Sequence, residues 1–319
     1  MLDTLETKKQ MKKLTHSSYI SELVDEYLDS KPFIRLKGST QKEYELTLKI
    51  AMNTPTHTGK TVGGTKLNLF GNNHATYAYE QWLERGISRA NKISTVLSIV
   101  FNTAIYKDIL NRNPMVGVKR VPNKQRKVMW TQEQVFTFLD TAYRHNKWRS
   151  IGLIVQMAYE WGQRVGDMRL LTWDRLDLEN KRMDIEQSKR SADVHLPISE
   201  PLLHVLVQQK EAYGFQPYVA PQMQPSDGAY KPYLKGNLFS FVNAVKKEAG
   251  LPSELTAMDM RRTAITEMVE AGVDVTQIKQ VSGHKSINSL NPYIKHTFSG
   301  ASNALAQRQA YKDSNDEKH

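Results

Sequence analysis

Five side chains in the second half of this chain carry the chemistry it could perform: Arg164 in WGQRVGDMRLLTW, Lys189 in QSKRSADV, Arg261 in AMDMRRTAITEM, and His284 and Tyr293 in GHKSINSLNPY. The chain has no cysteine, so disulfides, thiolate zinc sites and a cysteine nucleophile are excluded, and its nine histidines form no HExxH-type pair. Asp167 follows Arg164 by three residues, shares its helical face and could lock a guanidinium, a spacing that also fits an ordinary surface ion pair. Arg261 opens a helix, where a positive side chain opposes the helix dipole unless an anion lies nearby; a bound phosphate would resolve that conflict. Gly283 reads as the end of a helix just before His284, and a lone histidine gains functional weight only from its neighbours.

The elements that must position these residues are mostly helical. Tyr19, Ile20, Leu23, Val24, Tyr27 and Leu28 recur on one face, and Thr40-Gln41-Lys42-Glu43 reads as a capping box opening a second helix. Residues 53–73 read as a loop, followed by helices over 75–84 and 90–106. A second capping box, Thr131-Gln132-Glu133-Gln134, opens the next unit, and an apolar helix starts near Ser150. Residues 183–198 then switch to a period of two around Ser188-Lys189-Arg190-Ser191-Ala192-Asp193, a β-hairpin with a lysine at its tip. Helices near 202–213, 238–249, 261–271 and 275–281 complete a mainly α chain with one small β-sheet, an α+β class. Pro292 should keep Asn291 out of helical geometry, so that Tyr293 starts a new turn.

The chain has 319 residues, longer than one core usually supports, and carries 44 Lys and Arg against 33 Asp and Glu. Its net charge of +11 suits a polyanion, nucleic acid or an anionic membrane surface. No stretch approaches the ~18 to 20 apolar residues of a membrane span, and the polar start MLDTLETKKQMKKL lacks the apolar core of a secretion signal, so an intracellular protein is expected. Breakers at Pro114, Gly117 and Pro122 accompany the basic residues Lys119, Arg120, Lys124, Arg126 and Lys127, marking a linker that could follow a phosphate backbone or be only a solvated surface.

The order Arg, Lys, Arg, His, Tyr, with the lysine on a strand turn and nine residues between His284 and Tyr293, resembles the tyrosine recombinase family, the phage integrases. The resemblance implies that Tyr293 is a nucleophile forming a covalent phosphotyrosine with DNA and releasing a 5′ hydroxyl. Arg164, Arg261 and His284 would stabilise the charge that grows on the phosphate oxygens, Lys189 would protonate the departing oxygen, and Asp167 would orient the site. It also implies a helical core-type DNA-binding domain over 16–115, a linker over 116–128 and a catalytic domain over 129–300. The lysines of residues 1–15 read as a basic flexible N-terminus, and the tail over 301–319 either contacts a neighbouring protomer, as the resemblance implies, or is a frayed end. The expected partners are double-stranded DNA attachment sites, read in part through the linker cations and Arg190. A homo-tetramer on paired sites, accessory DNA-bending or excision factors and a cytoplasmic, nucleoid-associated location complete the picture. No cofactor, metal or membrane is called for.

One position departs from the pattern: where the family has a histidine three residues before the second arginine, this chain reads Met258-Asp259-Met260-Arg261. A thioether is a poor proton acceptor, so nucleophile activation should slow. Two other readings therefore stand beside a site-specific recombinase. One is a DNA-binding homologue without catalysis, the other a type IB-like topoisomerase using the same phosphotyrosine chemistry without strand exchange.

Overall fold

The computed structural model describes residues 13–124, 126–188, 192–284, 286–293 and 298–316. Its contacts divide it into two compact units, one ending at Arg126 and the other starting at Lys127. No helix among the described residues is long and apolar enough to cross a membrane.

The first unit is helical: α1 (Ile20–Leu28), α2 (Lys31–Ile34), α3 (Gly38–Met52), α4 (Asn72–Leu83) and α5 (Ile87–Tyr106). Apolar residues recurring at helical spacing on α5, including Ile93, Val96, Leu97, Val100 and Phe101, are fully buried against the stripes of α1, α3 and α4. Trp82 lies inside this core and satisfies its indole N–H on the Thr54 hydroxyl at 2.7 Å. Val118 is buried with the same core, and Val121 is held twice: its N–H donates to the Tyr79 hydroxyl at 2.8 Å and its carbonyl accepts from the Asn91 amide at 2.8 Å.

One local expectation fails here, and one short helix was not anticipated. Thr40 does not cap α3: the helix starts two residues earlier at Gly38, the Thr40 N–H donates to the Lys37 carbonyl at 2.7 Å, and Glu43, which would complete the box, pairs with Lys92 at 3.0 Å. The Gln41 amide instead closes the end of α2, donating to the carbonyls of Phe33, Ile34 and Leu36. The short α2 itself, capped by Ser30 with a proline in its first turn, gave too few residues for a periodic signal.

The second unit contains α6 (Gln132–Arg144), α7 (Arg149–Glu160), α8 (Val165–Met168), β1 (Leu176–Asp177), β2 (Arg182–Glu186), β3 (Asp193–Pro197), α9 (Glu200–Tyr213), α10 (Lys235–Glu248), α11 (Met260–Glu270), α12 (Val275–Ser282) and α13 (Phe298–Asp316). The capping box at Thr131 and Gln134 forms as expected. Helix α7 is buried from Ser150 to Ala158 and packs against α6, α8, α9, α10 and α11, so it is the spine of the unit. Trp130 fastens the unit's start to α11, its main-chain N–H donating to Thr263 Oγ1 at 3.0 Å and its indole to the Thr256 carbonyl at 3.0 Å. Trp161 fastens the end of α7 to the sheet through the Pro197 carbonyl at 2.9 Å.

The sheet is antiparallel in the order β1, β2, β3, with Met183 opposite Leu196 and Ile185 opposite Val194. The hairpin falls where the alternation placed it, and the N–H of Gln187 donates to the Ala192 carbonyl at 2.9 Å as its last rung. Strand β1 was missed because two residues cannot show alternation. Lys189 and Arg190 lie outside the described residues.

Candidate active site

Arg164 sits in extended geometry at the start of α8, one turn past the end of α7. Its guanidinium Nη1 donates to Gln187 Oε1 at 2.7 Å and stands 3.7 Å from Asp167 Oδ2, an ion pair beyond hydrogen-bond length. Asp167 is buried and its other oxygen accepts from the Ser188 hydroxyl. The expected Arg164 and Asp167 pair therefore exists, with Gln187 supplying the short contact.

Arg261 opens α11 and is buried. Its guanidinium donates to two main-chain carbonyls, Gly162 at 3.2 Å and Ser282 at 2.7 Å. These carbonyl dipoles compensate the cation at the helix start, so an anion is not the sole resolution of the conflict read from the sequence. The same Nη2 lies 3.3 Å from His284 Nε2 and 3.5 Å from His284 Nδ1, which sets the imidazole beside the guanidinium. His284 is buried too, and its Nδ1 is 2.7 Å from the Ser282 hydroxyl.

Gly283 makes this approach possible. It ends α12 in the left-handed region at φ 63° and brings the chain so near the hairpin that a β-carbon there would lie 2.6 Å from Gln187 Nε2 and 2.9 Å from Val194 Cγ2.

Tyr293 is half-buried, and its ring centroid lies 5.9 Å from that of His284. Its body packs on a small cluster of Ile265, Ile278 and Leu290. On its other flank Arg262 places its guanidinium carbon 5.3 Å from the ring centroid and donates to the Pro292 carbonyl at 3.4 Å. The expected break at Pro292 does not occur: Asn291 is helical at φ −48° and ψ −37°, and the N–H of Tyr293 donates to the Leu290 carbonyl at 2.8 Å. Tyr293 thus closes a turn that prolongs the 3-10 segment Ile287–Leu290, whose hydrogen bonds outweigh the steric bias of the following proline.

A cavity of about 290 Å³ opens between these elements, lined by Arg164, Asp167, Ser188, Lys235, Met258 and Arg261 among others. Met258 is 63% exposed and faces it with a side chain that cannot relay a proton. Arg164, Asp167, Arg261, His284 and Tyr293 are therefore in one neighbourhood. Of the linker cations, Lys119, Arg120, Lys124, Arg126 and Lys127 are exposed, and Arg120 donates to Thr95 Oγ1 at 2.8 Å. Sequence reasoning missed Gln163, Gln187, Ser282 and Arg262, whose relevance comes from partners distant in the sequence, and Lys235, which lines the cavity. No group of three or more metal-ligating side chains occurs among the described residues.

Two guanidinia and an imidazole beside a tyrosine, on a helical frame with a three-stranded sheet, suit the binding of a phosphate group. Residues 129–299 match the family model described as the phage integrase family. The chain belongs to that family and is a tyrosine recombinase. It is 24% identical over 249 residues to the ICEBs1 integrase of Bacillus subtilis, covering 71% of this chain and 67% of that one. It is 20% identical over 235 residues to tyrosine recombinase XerC of Pediococcus pentosaceus, covering 71% and 76%. A lambda integrase dimer bound to a COC′ core site shares the fold with a TM-score of 0.71, at 19% identity over 87% of this chain and 77% of that one. The Tn1549 transposon integrase in complex with a circular intermediate DNA does so with a TM-score of 0.73, at 18% identity over 91% and 100%.

Proposed function

We propose that this recombinase serves a mobile DNA element, cutting one strand at an attachment site through a 3′-phosphotyrosine on Tyr293. The observation that carries this reading is the convergence of two guanidinia and an imidazole, Arg164, Arg261 and His284, with Tyr293 at the imidazole's flank. The Tyr293 oxygen attacks the scissile phosphorus, the bond to the 5′ oxygen breaks, and Lys189 supplies the proton that makes the 5′ hydroxyl. Arg164, Arg261 and His284 stabilise the charge that develops on the non-bridging oxygens, and Asp167 holds Arg164. With Met258 in place of a base, the phenol proton passes to water.

In this reading residues 16–115 bind the core site and residues 129–300 perform the chemistry, joined by the basic stretch 116–128. The neighbouring structures include a lambda integrase dimer on a core site and a lambda integrase tetramer bound to a Holliday junction, which supports a homo-tetramer on paired sites. Accessory bending or excision factors would set the direction, in the bacterial cytoplasm.

The test uses an attachment-site duplex from the element, nicked beside the scissile phosphate so that cleavage is trapped. Unaltered protein should give a covalent adduct on denaturing gels, and Tyr293→Phe should give none while still binding the duplex. An adduct that survives Tyr293→Phe, or none from either protein, refutes the assignment.

A further inference from the structure

We propose that Gln187 is a positioning residue of strand cleavage, its amide setting the aim of Arg164 and tying the lysine-bearing hairpin to the arginine pair. This rests on the roles proposed above for Arg164 and Lys189. Gln187 is fully buried and stands two residues before Lys189 in the sequence. Its Oε1 accepts from Arg164 Nη1 at 2.7 Å, and its Nε2 donates to Gln163 Oε1 at 2.6 Å and to the Ser282 carbonyl at 2.9 Å. A primary amide offers one oxygen and two N–H donors, and all three are engaged here. Ser282 passes the connection on, since the same carbonyl accepts from Arg261 and its hydroxyl touches His284.

The orientation of that amide is dictated rather than interchangeable. Gln163 Nε2 faces two carbonyls, Trp161 at 2.9 Å and Val281 at 2.7 Å, so Gln163 must turn its oxygen toward Gln187. Gln187 must then present Nε2 to Gln163 and to Ser282, which leaves its oxygen for the guanidinium. A flipped amide would set N–H against N–H and oxygen against oxygen around a fully buried side chain, which is strongly disfavoured. The chain of constraint runs from the main chain of α7 and α12 to the aim of Arg164. Because Asp167 stands at 3.7 Å, no closer partner on α8 can replace it.

The experiment compares single-turnover cleavage of the nicked duplex, DNA affinity, and 15N relaxation of the Arg164 Nε–Hε group in the full-length protein. Q187L keeps the bulk and removes the amide; Q187E keeps an acceptor for Arg164. Q187L should slow cleavage on the order of 10²-fold, as small misplacements of reacting groups do, with DNA affinity within about 3-fold and a mobile Arg164. Q187E should retain a rigid Arg164 and lose clearly less rate. R164K combined with Q187L should be no slower than R164K alone, because the amide acts through the guanidinium. Cleavage by Q187L at the unaltered rate, multiplicative losses in the double variant, or an Arg164 equally rigid in Q187L overturns the proposal. If Q187L does not fold, Q187E decides: cleavage as low as that of R164K with a mobile Arg164 sinks it. If the unaltered protein yields no adduct, the catalytic reading fails, and the relaxation data still decide whether Gln187 fixes Arg164.

Discussion

Replacing Gly283 by alanine should destabilise the second unit through two separable effects. The first is conformational: φ is 63° at this position, and an L-residue held in the left-handed region loses about 1–2 kcal/mol. The second is steric, since the new methyl would stand 2.6 Å from Gln187 Nε2, 2.8 Å from its Cδ and 2.9 Å from Val194 Cγ2. The amide ends a long side chain and could swing away elsewhere, but here three partners hold it, and Val194 is a buried β-branched residue. Overpacking of this kind is worth about 1–3 kcal/mol, for a total of roughly 2–5 kcal/mol. A unit of this size loses about 2–4 °C per kcal/mol, so its melting temperature should fall by roughly 4–20 °C. Gly272→Ala is the control: its φ is 76° but nothing lies within 4 Å of the added carbon, so only the conformational loss of roughly 2–8 °C applies. Both are read by calorimetry of the full chain, following the transition of the second unit. Equal shifts for the two variants would refute the close approach of Gly283 to Gln187.

Met258→His should accelerate adduct formation by about 10²-fold, the low end of what general acid–base groups supply. A rate unchanged by the histidine would mean that proton removal from Tyr293 does not depend on position 258. Burial holds the Glu267 carboxyl above its ordinary range, the Tyr159 hydroxyl at 3.0 Å opposing that rise and Glu270 adding to it. The folded chain then binds this proton more tightly than the unfolded chain, so stability declines as pH climbs from the ordinary carboxylate value of 4.5 through the raised one. Glu267→Gln should flatten that decline in urea midpoints measured across the window, and an unaltered slope would remove Glu267 as its source. In the first unit, Trp82→Phe leaves the buried Thr54 oxygen without its indole donor and should cost about 1–3 kcal/mol in denaturant titrations followed by circular dichroism. A loss under about 0.5 kcal/mol would show the bond to be dispensable.

Elements long enough to repeat their pattern were legible in the sequence. The stripes of α1 and α5 and the alternation of β3 each bury one face, and the apolar run of α7 is buried all round, so the pattern and the packing are the same fact. Thr131 and Thr40 begin with equivalent signals, yet only Thr131 caps, because α3 already starts at Gly38 and Glu43, the partner the second box needs, pairs with Lys92. Asn291 defeated the reading for a related reason: the bias imposed by Pro292 is local, whereas hydrogen bonds across the turn fix its geometry. In the candidate site the charged residues were legible by type and spacing. Gln163, Gln187 and Ser282 were not, since a glutamine or serine looks solvent-facing until its partners 24, 95 or 118 positions away are known.

Both arginines of the site lean on groups of unequal permanence. Arg164 depends on side chains, Gln187 and Asp167, which one base change in the gene can delete. Arg261 is anchored on the carbonyls of Gly162 and Ser282, and no substitution removes a backbone oxygen. Random mutagenesis should therefore expose the anchor of Arg164 readily and leave that of Arg261 nearly silent, detectable only through changes that move the chain itself. The arginine that looks least supported in a mutational scan would be the one held by the most durable atoms.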